Sequence, residues 1–201
     1  MTQKRIFDIL VSILGLLFSL PILIVIAIII KIRLPDGPVF YKQKRVGQYG
    51  KLFTMIKFRT MSINHHGNTI SIKGDNRITP LGSVLRKYKL DELPELWNVL
   101  VGDMSIVGPR PDVPGYADKL EGDDRIILKL KPGITGPASL KYVNEEELLA
   151  SQPDPIKYNN DVIWPDKIRI NKRYFMSRNF WVDIKIIFYT LFGMNFSDDF
   201  K

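Results

Sequence analysis

Two adjacent carboxylates, Asp91 and Glu92, sit in the stretch Leu90-Asp91-Glu92-Leu93-Pro94-Glu95-Leu96-Trp97-Asn98-Val99-Leu100, with Arg86, Lys87 and Lys89 before them and Arg110 after. An aspartate in such company suits an anionic nucleophile or a magnesium ligand. Pro94 has no N–H and a φ already suited to helices, which predicts a helix starting near Asp91 to Leu93. Leu93, Leu96, Trp97 and Leu100 recur at i, i+3, i+4 and i+7 and predict one buried stripe. Unpaired N–H groups at that helix start would favour an ionised carboxylate. First-turn acids are also ordinary capping residues, so the pair alone does not decide its use.

Other residues have the chemistry to meet phosphate. Lys57 and Arg59 fall on one alternate set of a predicted strand, with Ile56 and Phe58 on the other. Arg110 stands between Pro109 and Pro111, which fix the backbone around it, so its guanidinium needs little further ordering to grip an anion. Lys131-Pro132-Gly133-Ile134-Thr135-Gly136-Pro137 is a tight turn whose glycine amides could approach phosphate, although the Gly-Lys-Ser/Thr ending of a P-loop is missing. His65 and His66 have no third ligand at a suitable spacing and receive no role.

Composition narrows the partners. The 201 residues suit one domain with an appendage, and with no cysteine neither a disulfide framework nor a Cys-based zinc site can form. Twenty-nine Lys+Arg against 21 Asp+Glu leave a formal charge of +8, which points to an anionic partner. No basic groove with interleaved aromatics is evident, so nucleic acid is not expected.

The elements that must position these groups begin with an apolar run from Ile9 to Ile30, approaching the roughly 20 residues that cross a bilayer. Lys4 and Arg5 precede it and Lys31 and Arg33 follow it, so flank charge sets no polarity. A re-entrant helix broken at Pro21, with Ser19 bonding a freed carbonyl, satisfies both flanks; a kinked spanning helix is the other reading. Val39 to Arg45 and Leu52 to Thr60 predict a hairpin around Gly47-Gln48-Tyr49-Gly50, and residues 62 to 78 a loop. Thr79-Pro80 caps a short helix with Leu81, Val84, Leu85 and Tyr88 buried. Helices are expected over Tyr116 to Lys131, Asn144 to Ala150 and about Pro165 to Phe192. The last has Phe180, Trp181, Ile184, Ile187, Phe188 and Leu191 on one side, for the core or a membrane interface.

Taken in order, the apolar N-terminal helix, Lys57-Phe58-Arg59-Thr60-Met61, Leu90-Asp91-Glu92-Leu93, Gly102-Asp103-Met104-Ser105, Gly108-Pro109-Arg110-Pro111 and Pro132-Gly133-Ile134-Thr135-Gly136 resemble the small monotopic phosphoglycosyl transferases of bacteria, also called bacterial sugar transferases. The resemblance implies an α+β, mostly helical chain: a re-entrant membrane helix over residues 1–33, and a catalytic domain over 34–201 with a β-hairpin and amphipathic interfacial helices. It also implies an enzyme at the cytosolic face of the bacterial cytoplasmic membrane. That enzyme moves a sugar-1-phosphate from a nucleotide sugar, usually a UDP-sugar, to polyprenyl (undecaprenyl) phosphate and releases UMP. On this resemblance Asp91 is the nucleophile that carries the phosphosugar and the residue beside Mg2+, and Glu92 is its partner. Lys57, Arg59, Arg86 and Arg110 become candidates for binding substrate phosphate.

Three places depart from the family pattern. Leu20 separates Ser19 from Pro21, where members commonly have Ser-Pro. Pro137-Ala138-Ser139-Leu140-Lys141-Tyr142-Val143-Asn144 replaces Trp-Ala-Gln-Val-Asn-Gly-Arg, leaving Lys141 as the available cation. Asn171 stands where an acid often precedes the tyrosine of the last helix. The competing expectation from a different class is a non-catalytic, membrane-anchored basic binding module. It accounts for the charge and the anchor but not for an acid pair framed by arginines.

Overall fold

The computed structural model describes residues 2–63 and 76–194; His65 and His66 lie outside the described residues. Helix α1 (Gln3–Arg33) carries the apolar run and, at 1.5 Å per residue, is about 46 Å long. By length and composition it can cross a membrane. It continues as one helix through Pro21, where a break was expected. Ser19 Oγ donates to the Leu16 carbonyl at 3.5 Å, one residue before the Leu17 carbonyl that the missing proline N–H frees.

Both ends of α1 are held by the rest of the chain. Near its start, Arg5 donates to the carbonyls of Val99 and Leu100 at 2.6 and 2.8 Å. Asp8, buried, accepts from Ser105 Oγ at 3.1 Å and the Ile106 N–H at 3.0 Å. Lys4 donates to the Val107 carbonyl and pairs with Asp183. Toward its end, Ile26 and Ile30 bury with Phe58 and Leu85, with Leu34 and Leu90 packed around them. Between these attachments Leu17, Phe18, Leu20 and Ile24 are exposed, Phe18 to 81%. An apolar surface of this extent marks a place where protein or lipid is met.

The hairpin forms as expected. Strand β1 (Phe40–Val46) pairs antiparallel with β2 (Leu52–Phe58) through a turn in which Tyr49 and Gly50 take positive φ. Both faces of β2 are covered. Phe53 and Met55 enter the main core with Val99, Met104, Val107, Tyr174 and Ile186, while Phe58 stacks on Phe40 and joins the α1 cluster. The base of the following loop is closed by a bridge between Met61 and Ile78. Thr79 then caps α2 (Pro80–Lys87), its Oγ1 accepting from the Gly82 N–H at 2.9 Å. Gly82 touches the backbone just after β2 so closely that a Cβ would stand 2.0 Å from the Thr60 carbonyl oxygen. The expected α2 stripe holds in part: Leu85 is buried, but Val84 and Tyr88 are exposed.

After α3 (Glu95–Val101), the two glycine-containing connections meet. Strand β3 (Ser105–Val107) pairs in parallel with β4 (Gly133–Thr135). The N–H groups of Gly108 and Gly133 go to the Thr135 and Pro109 carbonyls, so these amides hold the loops together instead of facing an anion. A Cβ on Gly133 would lie 2.1 Å from the Gly108 nitrogen, which explains the glycine by close approach.

Two expectations change beyond this point. The 116–131 segment is two 3₁₀ stretches, Ala117–Lys119 and Gly122–Lys129. Short helices α4 (Pro137–Lys141), α5 (Glu145–Ala150) and α6 (Pro155–Tyr158) follow, and a π-helical turn leads into α7 (Trp164–Ser177). The long terminal helix is two, because Asn179 leaves helical geometry and caps α8 (Phe180–Phe192) by accepting from the Val182 N–H at 3.0 Å. In α8 the aromatic side faces outward: Trp181, Phe188 and Leu191 are exposed, while Asp183 and Ile186 are buried. Asp183 tolerates the interior because Lys4 and the Tyr174 hydroxyl satisfy it.

Candidate active site

Asp91 and Glu92 lie on a 3₁₀ turn, Leu90–Glu92, and α3 begins only at Glu95 with Pro94 at its cap position. The expected helix start is therefore displaced by about one turn, and the acids precede a helix of seven residues instead of occupying its first turn. The turn is entered through Lys89, whose φ of 56° is left-handed, a conformation that costs a non-glycine residue free energy. Leu90 seats the turn on the end of α1, and Leu96 seats the next one against Gly15 of α1.

The apolar stripe assigned to α3 is not its buried face. Trp97 is 51% exposed, and the fully buried positions are Glu95, Asn98 and Val99. The reason is visible at Asn98. Its Oδ1 accepts from the Ile56 N–H at 3.1 Å and its Nδ2 donates to the Thr54 carbonyl at 2.8 Å, so one amide takes up backbone groups on the edge of β2 away from β1. This suture brings Lys57 of β2 over the acidic turn.

Lys57 Nζ then lies 2.8 Å from Glu92 Oε1 and 3.0 Å from Glu95 Oε1. Arg110 reaches the same Glu92 oxygen at 2.5 Å with its side chain 45% exposed. Three of the predicted residues, Lys57, Glu92 and Arg110, are thus one ion-pair network beside Asp91. Arg86 contributes from α2, donating to Thr60 Oγ1 at 3.1 Å and pairing with Glu146. Arg59 goes elsewhere: it is buried, donates to the Leu34 carbonyl and fills the space where a side chain at Gly37 would stand. Lys141, the available cation after the Gly136 turn, pairs with Asp166 at 2.8 Å. Asn171 is buried with Oδ1 unpartnered.

The two acids differ electrically. Burial pushes the Asp91 carboxyl up, the Glu92 charge adds to this, and Lys57 and Arg86 oppose it. Burial also acts on Glu92, but Arg110 and Lys57 outweigh it and hold its carboxyl far below the usual range. Asp91 Oδ1 is buried and has no hydrogen-bond partner. Glu92 is therefore a permanently charged organiser of cations, and Asp91 the carboxyl with an uncommitted oxygen. Among the described residues no three His, Cys, Asp or Glu side chains form a metal cage. Magnesium is commonly held by one or two carboxylates together with substrate phosphates, and Asp91 Oδ1 is an atom that fits such an ion.

Two further residues escaped the sequence reading. Glu95 joins Lys57 from below the turn; its signal was its place four residues after Asp91 and three after Glu92, on one helical side. Arg45 on β1 donates to the Pro111 carbonyl at 3.1 Å, and the adjacent Val46 N–H donates to the Asp112 carbonyl at 2.9 Å, fastening the Arg110 loop to the hairpin. No sequence pattern predicts that contact across 66 residues. Burial pushes the Asp112 carboxyl up to about 6 against the pull of Lys167 and Arg45.

Comparison with known proteins converges on the same stretch of motifs. A sequence model of the bacterial sugar transferases matches residues 1–197. A UDP-glucose:undecaprenyl-phosphate glucose-1-phosphate transferase of Klebsiella pneumoniae is 37% identical over 198 residues, which cover 96% of this chain and 40% of that protein. A UDP-N-acetylgalactosamine-undecaprenyl-phosphate N-acetylgalactosaminephosphotransferase of Aeromonas hydrophila is 33% identical over 94% of this chain and 42% of its own length. An uncharacterized sugar transferase of Bacillus subtilis, EpsL, is 33% identical over 95% of this chain and 86% of its own. The chain spans about two fifths of the length of the first two relatives and most of the third. With an acid pair, its cations and an apolar N-terminal helix all inside the matched region, the chain belongs to the bacterial sugar transferase family.

Proposed function

We propose that this protein is a phosphoglycosyl transferase that moves a sugar-1-phosphate from a UDP-sugar to polyprenyl phosphate in two displacements at Asp91. In the first, an Asp91 oxygen attacks the β-phosphorus, forming an acyl-phosphate bond while the bond from that phosphorus to the bridging oxygen breaks and UMP leaves with the oxygen. In the second, a phosphate oxygen of the polyprenyl phosphate attacks the same phosphorus and returns the Asp91 carboxylate. The observation that carries this reading is the buried, unpartnered Oδ1 of Asp91 beside a charged organiser, Glu92, that holds two cations.

Each residue has a task in this scheme. Lys57 and Arg110 meet the phosphates, because phosphoryl transfer depends mostly on positioning and on neutralising charge. Arg86 adds positive potential from α2. Glu92 keeps Lys57 and Arg110 in place before substrate arrives. Arg59 holds the chain where it leaves α1. Mg2+ bound at Asp91 would supply further neutralisation of the diphosphate.

The membrane placement belongs to the same proposal. We assign residues 1–33 to a re-entrant element and 34–201 to the cytosolic face of the cytoplasmic membrane, where the polyprenol tail stays in hydrocarbon and its phosphate emerges at the turn. This is supported by the attachment of both ends of α1 to one body and by the bare apolar surface between them. Purified protein with Mg2+, polyprenyl phosphate and a panel of UDP-sugars should release UMP with at least one donor. Intact mass should show a phosphosugar adduct that is lost in Asp91→Asn. Release of no UMP from any donor, or an adduct that survives Asp91→Asn, would overturn the reading.

A further inference from the structure

Glu95 is an acid that the two displacements do not use. It opens α3, is 2% exposed, and pairs with Lys57 Nζ at 3.0 Å while the same Nζ stands 2.8 Å from Glu92. A carboxylate in the interior is costly unless paired, and an apolar residue at this inward position of α3 would avoid the cost. Glu92 already gives Lys57 one carboxylate, although it divides that charge with Arg110. The second acid becomes necessary when the first lets go.

The geometry separates the two. Glu92 shares one oxygen between Lys57 and the half-exposed Arg110, on the side that an anion can reach. Glu95 lies beneath, enclosed, and cannot follow a substrate. An entering diphosphate competes with Glu92 for Lys57 and Arg110; the pair between Lys57 and Glu95 is out of its reach. Resting on the transferase reading, we propose that Glu95 is a positioning residue that keeps Lys57 anchored when Glu92 yields it to the donor, and that its charge sets how strongly Lys57 attracts the diphosphate.

The charged groups facing Glu95 are Lys57 from β2, Glu92 from the turn, Arg110 from the loop after β3, and Arg45 from β1. Burial pushes its carboxyl up, and Glu92 pushes the same way against Lys57 and Arg110. Lowering the pH therefore converts Glu95 to a neutral group resembling glutamine, and raising it restores the charge that restrains Lys57.

The test compares wild type, Glu95→Gln and Glu95→Leu as full chains in detergent between pH 5.5 and 8.5, reading donor KM and kcat from UMP release and UDP affinity by calorimetry. Glu95→Gln, which keeps the shape and removes the charge, should bind donor and UDP about tenfold more tightly than wild type at pH 8.5, the low end of the coupling between close charge pairs. The difference between the two proteins should narrow as the pH falls, the direction in which Glu95 takes up a proton. Glu95→Leu should lose kcat by more than tenfold while still melting cooperatively. Equal UDP affinity for Glu95→Gln and wild type at pH 8.5 overturns the inference even if Glu95→Leu unfolds. A wild type that binds UDP but releases no UMP refutes the transferase reading instead, and the affinity ratio still decides the role of Glu95.

Discussion

The Arg110 guanidinium and the Glu92 carboxylate stand 2.5 Å apart, 18 residues separated in sequence, and this pair joins the loop after β3 to the acidic turn. Pro109 and Pro111 fix the loop around the arginine, and Arg45 and Val46 fasten the loop's far side to β1. The guanidinium is thus preorganised before any anion arrives. Arg110→Ala should lower kcat/KM for UMP release by about 10²–10³, as for loss of a donor aimed at developing charge. Arg110→Lys should recover only part of this, since the fork that can grip two phosphate oxygens is lost.

Asp91 should show activity and stability opposed. Its carboxyl is pushed up by burial and then by Glu92, so the folded protein holds that proton more tightly than the unfolded chain. Ionising it therefore costs stability, a cost that grows as pH rises from about 4, the unfolded value, through the folded value, and stays above it. Asp91→Asn should abolish turnover and, at pH 7–8, raise the melting temperature. Below about pH 4 the gain should vanish. Thermal melts of the two proteins across that range check the sign.

Asn98 should matter more for stability than its helical position suggests. Its amide serves the Ile56 N–H and the Thr54 carbonyl together. Asn98→Ala would leave both groups without that partner and is expected to cost about 2–3 kcal/mol in denaturant unfolding. Activity should fall further than stability accounts for, because Lys57 is next along the same strand.

Topology can be read by labelling. Arg5 and Asp8 bind backbone groups in the last turn of α3 and at β3, and Leu34 and Leu90 share a cluster with the end of α1. Single cysteines at Thr2 and Pro35, introduced into a chain that has none, should react with an impermeant reagent from the same side of a vesicle. Labelling from opposite sides would show a spanning helix.

Local patterns were sufficient for some of this protein. Alternation and turn residues located the hairpin, Thr79-Pro80 marked the start of α2, and ordered motifs identified the family, because caps, turns and short motifs are decided by residues near one another in the chain. The same reading misplaced the inward face of α3 and left that of α8 open between core and membrane interface. Their apolar stripes do avoid polar positions, but Trp97 and Trp181 point outward while Glu95 and Asp183 are interior. Periodicity shows which residues share a side; it cannot show whether that side meets the core, another helix or lipid.

The acids themselves show where tertiary structure took over. The residue types at 91 and 92 determined by themselves that two carboxylates would be adjacent and near cations. Which becomes the uncommitted carboxyl was decided only when Asn98 drew β2 across the turn and β1 held the Arg110 loop beside it. Those contacts gave Glu92 two cationic partners and left Asp91 Oδ1 buried with none. The charge state of a carboxyl follows from its burial and its partners, and here both come from segments up to about 50 residues away, a separation over which sequence spacing specifies no geometry.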